Sequence, residues 1–340
     1  MKKGPLNIII PMAGFGKRLR PHTWSKPKPL LNVAGKAVLS HVLDVVSSAA
    51  DMESCEMAFI IGFLGDQVRD YMQENYPRVK TNYYVQEEMR GQSHAIALAR
   101  RHLEGPTMIL FVDTIAPEED MSFLMDIYDE EAVIWVKQVD DPRRFGVVEV
   151  GGDGLVKGLI EKPDTMDNDL AIIGYYYFSR GEDLMAAIDR QLSEDIRTKG
   201  EYFIADAIGL MLQDGLKLQR KVVDVWLDAG LPETVLSTNR YLLDHGRDNS
   251  GEVDKKEGVT ITPPVYIHPN AEISDSKIGP FVSIGAGCKV ASSAIEDSII
   301  NDDAQVTGAK IISSLIGARA QVYGLEGIIN IGDDSVVKKA

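Results

Sequence analysis

The chain has 340 residues but only two cysteines, Cys55 and Cys288, and neither belongs to a C-x-x-C pair. Two thiols so far apart in the sequence exclude a disulfide framework and leave a thiolate metal or redox site unsupported, so we interpret both as plain thiols. The chain also lacks an apolar run long enough for a membrane span. The apolar run before Gly14 is only about five residues long, too short for the core of a signal peptide. We therefore expect a cytoplasmic protein.

Basic residues are the second deficit. The chain has 36 Lys and Arg against 51 Asp and Glu, which gives a formal net charge of −15. Nucleic acids and anionic membranes require an excess of basic surface, so we expect neither as a main partner. A small anionic substrate remains compatible with this charge, because a few cations can line one pocket. With 44% hydrophobic residues, the chain is long enough for a sizeable core and two domains.

Near the N-terminus, an apolar run ends in a glycine-containing turn that a basic segment follows. Gly14 and Gly16 lack a Cβ, so the backbone can take positive φ and approach phosphate oxygens closely. Arg18 and Lys28 supply positive charge beside this turn. No Gly-Lys-Ser/Thr closes the loop, and Leu19 stands where the dinucleotide fingerprint requires a third glycine. The pattern predicts a nucleotide polyphosphate site of another kind.

This segment resembles the signature of the sugar-1-phosphate nucleotidylyltransferases, also called nucleotide-sugar pyrophosphorylases, which runs G-G-x-G-x-R-L-x-P-x-T and is followed by K-P-L. Residues 13–23 read Ala-Gly-Phe-Gly-Lys-Arg-Leu-Arg-Pro-His-Thr, and Lys28-Pro29-Leu30 follow. Ala13 stands where the family usually has glycine. The resemblance implies that Ala13, Gly14 and Gly16 bind the nucleotide. It also implies catalytic roles for Arg18, on the β- and γ-phosphates, and for Lys28, near the α-phosphate.

Four further segments resemble the substrate-binding parts of the family. Gln86 and Gly91 match a Q…G segment that reads the base, although the wording after Gly91 departs from the usual one. Three more elements resemble the family's YGVV, EKP and GxYxF motifs of the sugar site, and their key residues are Gly146, Glu161, Lys162 and Gly174. The resemblance implies that Gly146 lets the backbone approach the hexose, that Glu161 accepts hydrogen bonds from its hydroxyls and that Lys162 holds its phosphate. Read alone, Glu161-Lys162-Pro163 is a charged strand end before a turn.

Two aspartates are the candidate metal ligands. Asp113 follows a predicted strand and matches the family's Asp after its central strand, although Val112 replaces the usual glycine. Asp228, in Trp226-Leu227-Asp228-Ala229-Gly230, matches the family's W-x-D-x-G. Read singly, such an Asp is more often a turn former or a helix cap. Mg²⁺ prefers oxygen ligands and usually takes one or two from the protein, so the resemblance implies a Mg²⁺ site on these carboxylates.

The implied reaction joins a sugar 1-phosphate, with glucose 1-phosphate favoured, to a nucleoside triphosphate, with dTTP or UTP favoured. The products are a nucleoside diphosphate sugar and pyrophosphate. Two alternatives stay open at this point. One is a regulatory subunit that binds nucleotide sugars without turnover. The other is a hexapeptide-repeat acyltransferase that uses His268 as its base.

Residues 1–245 alternate apolar strands with helical stretches. The predicted strands are 7–11, 57–62, 82–86, 107–113 and 132–139, and the predicted helices include 39–50 and 93–103. This order predicts an α/β fold with a Rossmann-like, mostly parallel sheet that forms the nucleotidyltransferase catalytic domain. Ligands bind outside the carboxyl ends of such strands, where Gly14, Gln86 and Asp113 fall.

After residue 258, aliphatic residues recur at every sixth position. The four runs are Ile261, Ile267 and Ile273; Ile278, Ile284 and Val290; Ile300, Val306 and Ile312; and Ile316, Val322 and Ile328. A period of six predicts a left-handed parallel β-helix over 259–340 whose aliphatic side chains point inward, with residues 246–258 as a linker. The open end of a short β-helix favours a homo-oligomer formed through the coils. We expect removal of the coils to weaken assembly and stability more than the chemistry, because the candidate catalytic residues precede residue 231.

Overall fold

The computed structural model describes residues 5–117, 119–122, 124, 131–253 and 257–339. It forms two compact units. The sheet unit comprises Met1–Gly14 and His41–Trp226, and the coil unit comprises Phe15–Ser40 and Leu227–Ala340. The boundaries at residues 245 and 258 stay predictions. The compact units place the Phe15–Ser40 segment with the coils.

The chain before the coils alternates strands with helices. The strands are, in chain order, β1 (Asn7–Pro11), β2 (Asn32–Val33), β3 (Lys36–Ala37), β4 (Glu56–Ile61), β5 (Lys80–Val85), β6 (Thr107–Leu110), β7 (Thr114–Ile115), β8 (Glu131–Gln138), β9 (Gly146–Val150), β10 (Val156–Glu161), β11 (Leu170–Phe178), β12 (Lys217–Val222) and β13 (Leu227–Asp228). The helices are α1 (Val38–Ala49), α2 (Gly65–Asn75), α3 (Gln92–Leu98), α4 (Gly181–Ser193), α5 (Ile204–Gln213) and α6 (Pro232–Leu242).

A nine-stranded sheet organises the sheet unit in the order β5-β4-β1-β6-β11-β8-β12-β10-β9. β1 runs parallel to β4 and β6, and β4 runs parallel to β5. Beyond β6 the sheet is mixed, because β11 is antiparallel to β6 and β8, and β10 is antiparallel to β12 and β9. The predicted α/β class is confirmed. The antiparallel strands are an addition that the sequence pattern does not predict.

The core of the sheet unit explains why β1 is a continuous apolar run. All five residues of β1 are buried, as expected for a parallel strand with helices on both faces. One apolar cluster joins Ile9 and Ile109 of the sheet to Ile96 of α3, Leu184 of α4 and Ile208 of α5. Burying one such side chain contributes about 1.5–3 kcal/mol. The loops at the strand ends are therefore carried by a rigid core.

Short strands form the coils. They are β14 (Thr260–Ile261), β15 (Val265–Ile267), β16 (Glu272–Ser274), β17 (Lys277–Ile278), β18 (Val282–Ile284), β19 (Lys289–Ala291), β20 (Ala294–Glu296), β21 (Ile299–Ile300), β22 (Gln305–Thr307), β23 (Lys310–Ile312), β24 (Leu315–Ile316), β25 (Gln321–Tyr323), β26 (Glu326–Gly327), β27 (Asn330–Ile331) and β28 (Val336–Lys338). Each strand from β14 to β25 pairs in parallel with the strand three places later, which gives three five-stranded sheets. This arrangement confirms the predicted left-handed β-helix.

Two predicted inward positions are wrong. Ile312 and Ile328 are 43% and 74% exposed. In their sheet, Ile295 pairs with Ile311 and Ile311 pairs with Gly327, so successive coils are 16 residues long here and not three full hexapeptides. The inward position therefore falls one residue earlier than a strict six-residue period predicts. The other predicted positions lie in or against the apolar core of the coils.

The segment predicted as a linker, 246–258, is hydrogen-bonded to the first coil. Asp248 Oδ1 accepts from the backbone N of Val265 at 2.9 Å. Asn249 Oδ1 accepts from the N of Ile267 at 2.9 Å, and its Nδ2 donates to the O of the same residue at 2.9 Å. Residues 254–256 lie outside the described residues. The described part of this segment thus caps the first coil.

Helix α6 is fixed to the coils within the coil unit. Arg240 forms a two-pronged ion pair with Asp297, at 3.2 and 2.7 Å. Asn239 Nδ2 donates to the backbone O of Phe281 at 3.2 Å. The chain around Asp228, which immediately precedes this helix, is therefore anchored to the β-helix.

Among the described residues, no helix has both the length and the apolar character that crossing a membrane requires.

Candidate active site

The turn that carries Arg18 lies in the coil unit. Gly16 has φ 59°, in the left-handed region, and a methyl group on it would lie 2.9 Å from Thr23 Cγ2. The backbone N of Leu19 donates to the O of Gly16 at 2.9 Å, and Thr23 Oγ1 donates to the same oxygen at 2.8 Å. Glycine is required here, because a side chain would be both strained and crowded. The 3-10 helix Lys17–Leu19 follows, with Lys17 and Arg18 exposed.

The neighbouring positions Ala13 and Gly14 belong to the sheet unit and do not need this freedom. Neither is among the residues with positive φ, and a methyl group on Gly14 would meet nothing within 4 Å. Ala13 is buried. A methyl group on Gly62 would lie 2.6 Å from the backbone O of Ala13. An alanine at position 13 is therefore compatible with the backbone. The close approach falls instead on Gly62, which the sequence analysis did not single out.

Arg18 and Asp228 converge on Gly230. A methyl group on Gly230 would lie 2.7 Å from Asp228 Oδ1 and 3.4 Å from Arg18 Nη2. The backbone O of Asp228 accepts from Thr238 Oγ1 of α6 at 3.0 Å, which fixes the strand end. A cation and a carboxylate that were predicted from separate motifs thus approach the same point of the coil unit. Gly230 leaves the space that both side chains occupy.

Lys28 opens a second short turn of the coil unit. It begins the 3-10 helix Lys28–Leu30, which Pro27 enters in an extended conformation. The backbone N of Leu31 donates to the O of Lys28 at 3.2 Å. Lys28 is half-buried, whereas Leu30 and Leu31 are buried. The buried leucines therefore fix the backbone from which the Lys28 side chain projects.

Gln86 and Gly91 come together in the sheet unit. Gln86 follows β5 and is buried, and its Nε2 donates to the backbone O of Gly91 at 3.2 Å and lies 3.3 Å from His94 Nδ1. Gly91 has φ 114°, and a methyl group on it would lie 2.6 Å from the backbone N of Tyr202. The turn that leads into α3 thus requires glycine both for its φ and for space.

Asp113 lies in a turn rather than at a strand end. β6 ends at Leu110, and the backbone N of Phe111 donates to the O of Gly174 at 3.0 Å. Tyr175 Oη donates to the O of Thr114 at 2.9 Å, so β11 holds the turn on both sides of Asp113. Val112, which replaces the family's glycine, is buried and does not have positive φ. The replacement therefore imposes no backbone strain.

The predicted sugar-site residues Gly146 and Glu161 face each other across β9 and β10. They are register partners, and a methyl group on Gly146 would lie 2.9 Å from Glu161 Oε2. Lys162 Nζ lies 3.9 Å from Glu161 Oε1, and the backbone N of Lys162 donates to the O of Phe145 at 3.0 Å. Gly174 has φ 90° and interrupts the pairing of β11 with β8. The absence of a side chain at Gly146 thus leaves space beside the half-buried carboxylate of Glu161.

Further charged groups surround Glu161. Burial raises the pKa of its carboxyl group, and the charges of Lys162 and Lys199 oppose the rise. Lys199 Nζ donates to the backbone O of Lys162 at 3.5 Å. Burial also raises the pKa of Asp206, whose Oδ1 accepts from Thr198 Oγ1 at 2.9 Å. The sequence analysis did not single out Lys199 and Asp206. Their local sequence looks like that of any solvated turn or helix start.

The described residues do not contain a group of three or more His, Cys, Asp or Glu side chains that could enclose a metal ion. A closed cage is not what Mg²⁺ requires, since it usually takes one or two carboxylates from the protein and its other ligands from phosphates and water. Asp113 lies in a turn and Asp228 ends the short strand β13; both carboxylates are half-buried, and their oxygen donors suit a hard cation. Each carboxylate taken singly is therefore a donor that fits Mg²⁺, with the other ligands supplied by phosphates and water.

Known proteins are similar to this chain in sequence, and a solved structure is similar to it in fold. The chain is 29% identical to a glucose-1-phosphate thymidylyltransferase of Streptomyces antibioticus, over 93% of each chain. It is 28% identical to the low-salt glycan biosynthesis nucleotidyltransferase Agl11 of Haloferax volcanii, over 97% of each chain. Among solved structures, a UDP-glucose pyrophosphorylase complexed with UDP-glucose shares the fold with a TM-score of 0.60 at 21% identity, covering 71% of this chain and 99% of that one.

The family description "Nucleotidyl transferase" matches residues 7–245. This match spans more than half of the chain and contains all the candidate site residues from Ala13 to Asp228. It also agrees with the resemblance drawn from the signature, the sugar-site elements and the two aspartates. The chain belongs to the nucleotidyl transferase family, which confirms the predicted resemblance.

Proposed function

We propose that this chain joins glucose 1-phosphate to dTTP or UTP, giving a nucleoside diphosphate glucose and pyrophosphate. The observation that carries the proposal is the convergence of Arg18 and Asp228 on Gly230, which brings a cation and a metal-binding type of carboxylate to one point. Sugar-1-phosphate nucleotidyl transfer is the chemistry of the family. The choice of glucose and of a pyrimidine nucleotide rests on the names of the relatives and on the residues discussed below.

The protein needs no nucleophile of its own, because the sugar phosphate already carries the attacking oxygen. That oxygen attacks the α-phosphorus, the bond from the α-phosphorus to the β-phosphate oxygen breaks, and pyrophosphate leaves. The role of the chain is to align two anions and offset their charge. Arg18 braces the β- and γ-phosphates, Lys28 the α-phosphate and Lys162 the sugar phosphate. Backbone at Ala13, Gly14 and Gly16 contacts the nucleotide.

Asp113 and Asp228 are proposed as the carboxylate ligands of Mg²⁺. When bound, the metal would neutralise part of the triphosphate charge and hold its oxygens in a fixed geometry. The turn between Phe111 and Thr114 orients Asp113, and Thr238 of α6 fixes the backbone of Asp228 at 3.0 Å. Both carboxylates therefore sit on backbone that their neighbours hold in place.

For the base, Gln86 is proposed as the reader. Its Nε2 is directed to Gly91 O and His94 Nδ1, so its Oε1 is the atom proposed to face the ligand. The N3–H of uracil or thymine is a donor that a carbonyl oxygen accepts, whereas N3 of cytosine is an acceptor. This polarity supports dTTP or UTP over CTP.

Glu161→Gln is expected to raise the KM for glucose 1-phosphate about tenfold and to leave the KM for dTTP or UTP within twofold. A charged acceptor that hydrogen-bonds sugar hydroxyls is replaced by a neutral amide of the same shape, which costs about 1.4 kcal/mol or more. Steady-state kinetics with each substrate varied in turn measures this split. Glu149→Gln is the matched control, because Glu149 is an exposed carboxylate on the neighbouring strand β9. Equal changes in both KM values would remove Glu161 from the sugar site.

A homo-oligomer formed through the coils is also proposed. Ile328 and Val336 in the last coil are exposed, which leaves apolar surface at that end of the β-helix. We expect light scattering of the intact chain to give the mass of a dimer or a larger assembly. The variant Ile328→Glu places a charge in this apolar surface and should lower the measured mass to that of the 37.4 kDa chain. A monomeric wild-type chain would contradict this proposal.

The test of the proposed function is a matrix of nucleoside triphosphates against sugar 1-phosphates, with Mg²⁺ present and pyrophosphate release as the readout. We expect the highest kcat/KM for glucose 1-phosphate with dTTP or UTP. Binding of nucleotide sugars without pyrophosphate release for any substrate pair would favour the regulatory-subunit alternative. Thiol release from an acyl-CoA, lost in His268→Ala, would favour the acyltransferase alternative.

A further inference from the structure

One row of side chains on the outside of the coils differs from the others. Tyr266, Ser283, Ile299, Leu315 and Asn330 are successive register partners in the sheet formed by β15, β18, β21, β24 and β27. Ile299 and Leu315 are only 2% and 5% exposed although they alternate with the inward residues. We call this row the covered face.

The other two coil sheets present mostly polar outward rows, in which Ile312 and Val336 are apolar but exposed. In the sheet of β17, β20, β23 and β26 the outward row contains Lys277, Lys310 and Glu326, all exposed. In the sheet of β16 and β19 it begins with Glu272 and Lys289, also exposed. Apolar residues at the same outward positions of the covered face are therefore expected to pack against another part of the protein.

The Phe15–Ser40 segment provides that packing within the coil unit. Leu19 and Leu31 line a cavity of about 20 Å³ together with Ile299 and Leu315, so the four side chains are separated by little more than the space of one water molecule. At the first coils, Gly35 lies against the ring of Tyr266, where a side chain would clash. The segment thus runs along the covered face from the first coil towards the last.

Asn239 of α6 fixes the middle of this arrangement. The backbone N of Ala34 donates to Asn239 Oδ1 at 2.9 Å, and Ser283 Oγ donates to the same oxygen at 2.6 Å. Further along the segment, Asn32 Nδ2 lies within 3.4 Å of Asp302 Oδ2. Polar contacts therefore set the position of the segment along the coils, while the leucines supply apolar contact area.

At the last coil, His22 meets Asn330. His22 Nε2 lies 2.5 Å from Asn330 Oδ1, and His22 is 5% exposed. Burial lowers the pKa of His22, so the ring is neutral at pH 7 and its Nε2–H donates to the amide oxygen. Ser25 Oγ donates to Asp333 Oδ2 at 2.7 Å, and a methyl group on Gly332 would lie 2.9 Å from Pro21 Cβ. The last coil therefore makes close contact on both sides of His22.

His22 is tied directly to the turn that carries Arg18. The backbone N of His22 donates to the O of Leu19 at 3.0 Å, and the N of Leu19 donates to the O of Gly16 at 2.9 Å. A shift of the His22 ring away from Asn330 would therefore move the 3-10 helix Lys17–Leu19. Because this turn carries Arg18, such a movement would shift the guanidinium group from its place beside Gly230.

We propose that Asn330 is a positioning residue for nucleotidyl transfer, which holds the Arg18 turn in its working conformation through His22. This rests on the proposed function, because it assigns Arg18 to the triphosphate. Under this proposal the β-helix is part of the catalytic apparatus as well as a structural domain. Removal of the coils is then expected to lower turnover as well as stability, which replaces the expectation drawn from the sequence.

The test compares three single-substitution variants of the 340-residue chain with the wild type. Asn330→Ala removes the acceptor, and we expect kcat to fall about 10- to 100-fold while the KM for glucose 1-phosphate stays within threefold. Asn330→Asp keeps an oxygen acceptor of the same shape and should retain at least one third of the wild-type kcat. Asn270→Ala is the matched control, because Asn270 Oδ1 lies 2.6 Å from His268 Nδ1 in the first coil, away from the Arg18 turn. It should leave kcat unchanged.

A double-mutant cycle separates positioning from loss of stability. In the Arg18→Ala background, Asn330→Ala should lower kcat by less than threefold further, because the group that it positions is already gone. Amide hydrogen exchange at residues 16–23 should accelerate at least tenfold in Asn330→Ala and not in Asn270→Ala. If Asn330→Ala does not fold, His22→Phe removes the donor and keeps a ring, and it is put through the same cycle.

The outcomes are distinguishable. Wild-type turnover together with an unchanged kcat in Asn330→Ala, or a fully additive cycle, overturns the positioning role and leaves the proposed function standing. A wild-type chain that releases no pyrophosphate with any substrate pair overturns the proposed function and the positioning role with it. A reduced kcat in Asn330→Ala with rescue in Asn330→Asp and a non-additive cycle supports the role.

Discussion

Replacing Arg18 with alanine is expected to lower kcat by roughly 10² to 10³-fold while the fold persists. A positioned cation beside the departing phosphates stabilises charge that develops in the transition state, and such a group contributes several kcal/mol in a site that excludes water. Arg18 projects from the surface of its turn, so its loss leaves no cavity and no unpaired buried group. Initial rates of pyrophosphate release at saturating substrate concentrations measure the change in kcat.

The matched control for Arg18 is its neighbour in the same 3-10 helix. Lys17 is exposed, and its Nζ lies 5.6 Å from the centre of the Phe15 ring rather than near Gly230. Lys17→Ala should therefore keep kcat within twofold, because its ammonium group lies against Phe15 and not beside Asp228. Small and equal effects at the two positions would mean that the turn is an ordinary solvated loop.

Asp228→Ala is expected to lower turnover by roughly 10²-fold or more, and Asp113→Ala by a similar factor, since each removes a proposed ligand of the metal that offsets the triphosphate charge. The loss should be largest at limiting Mg²⁺ and should shrink as Mg²⁺ is raised. Rates measured across a Mg²⁺ titration, with circular dichroism to check the fold, give the result.

Asp224→Ala serves as the control for both aspartates, because Asp224 is an exposed carboxylate four residues before Asp228. Its rate and its Mg²⁺ dependence should match those of the wild type. If Asp228→Ala or Asp113→Ala keeps a near wild-type rate at limiting Mg²⁺, the metal assignment of that residue is wrong.

The sequence was most informative where a feature is local. The apolar run of β1, the glycine at position 16 and the six-residue period of the coils each reflect a short-range requirement, and the structure contains each of them. The period failed at Ile312 and Ile328, because a coil of 16 residues shifts the inward position by one. A strict six-residue period does not predict at which coil the connecting turns are shorter.

Packing between distant parts of the chain was not predictable in the same way. Nothing in residues 15–40 alone indicates that they belong with the coils, because the contact requires surfaces about 300 residues apart in the chain to match, as His22 and Asn330 do. A signal was nevertheless present. Ile299 and Leu315 occupy outward positions where the other sheets carry Lys and Glu, and an apolar outward row indicates a covered face.

The candidate site was predicted in its parts but not in its arrangement. Motif wording assigned Arg18 and Asp228 separately, and only the backbone at Gly230 shows that they approach one point. Lys199 and Asp206 were not predicted, because a loop brings Lys199 and helix α5 brings Asp206 into the surroundings of Glu161 on β10. Charges brought together by tertiary structure have no local pattern.

The central claim is that an oxygen of the sugar phosphate attacks the α-phosphorus of the nucleotide. Glucose 1-phosphate labelled with ¹⁸O at its non-bridging phosphate oxygens tests this directly, with mass spectrometry of both products after reaction with dTTP or UTP and Mg²⁺. The account predicts that all of the label appears in the nucleoside diphosphate glucose and none in pyrophosphate. Label in the released pyrophosphate or phosphate, or no labelled nucleotide sugar at all, would contradict it.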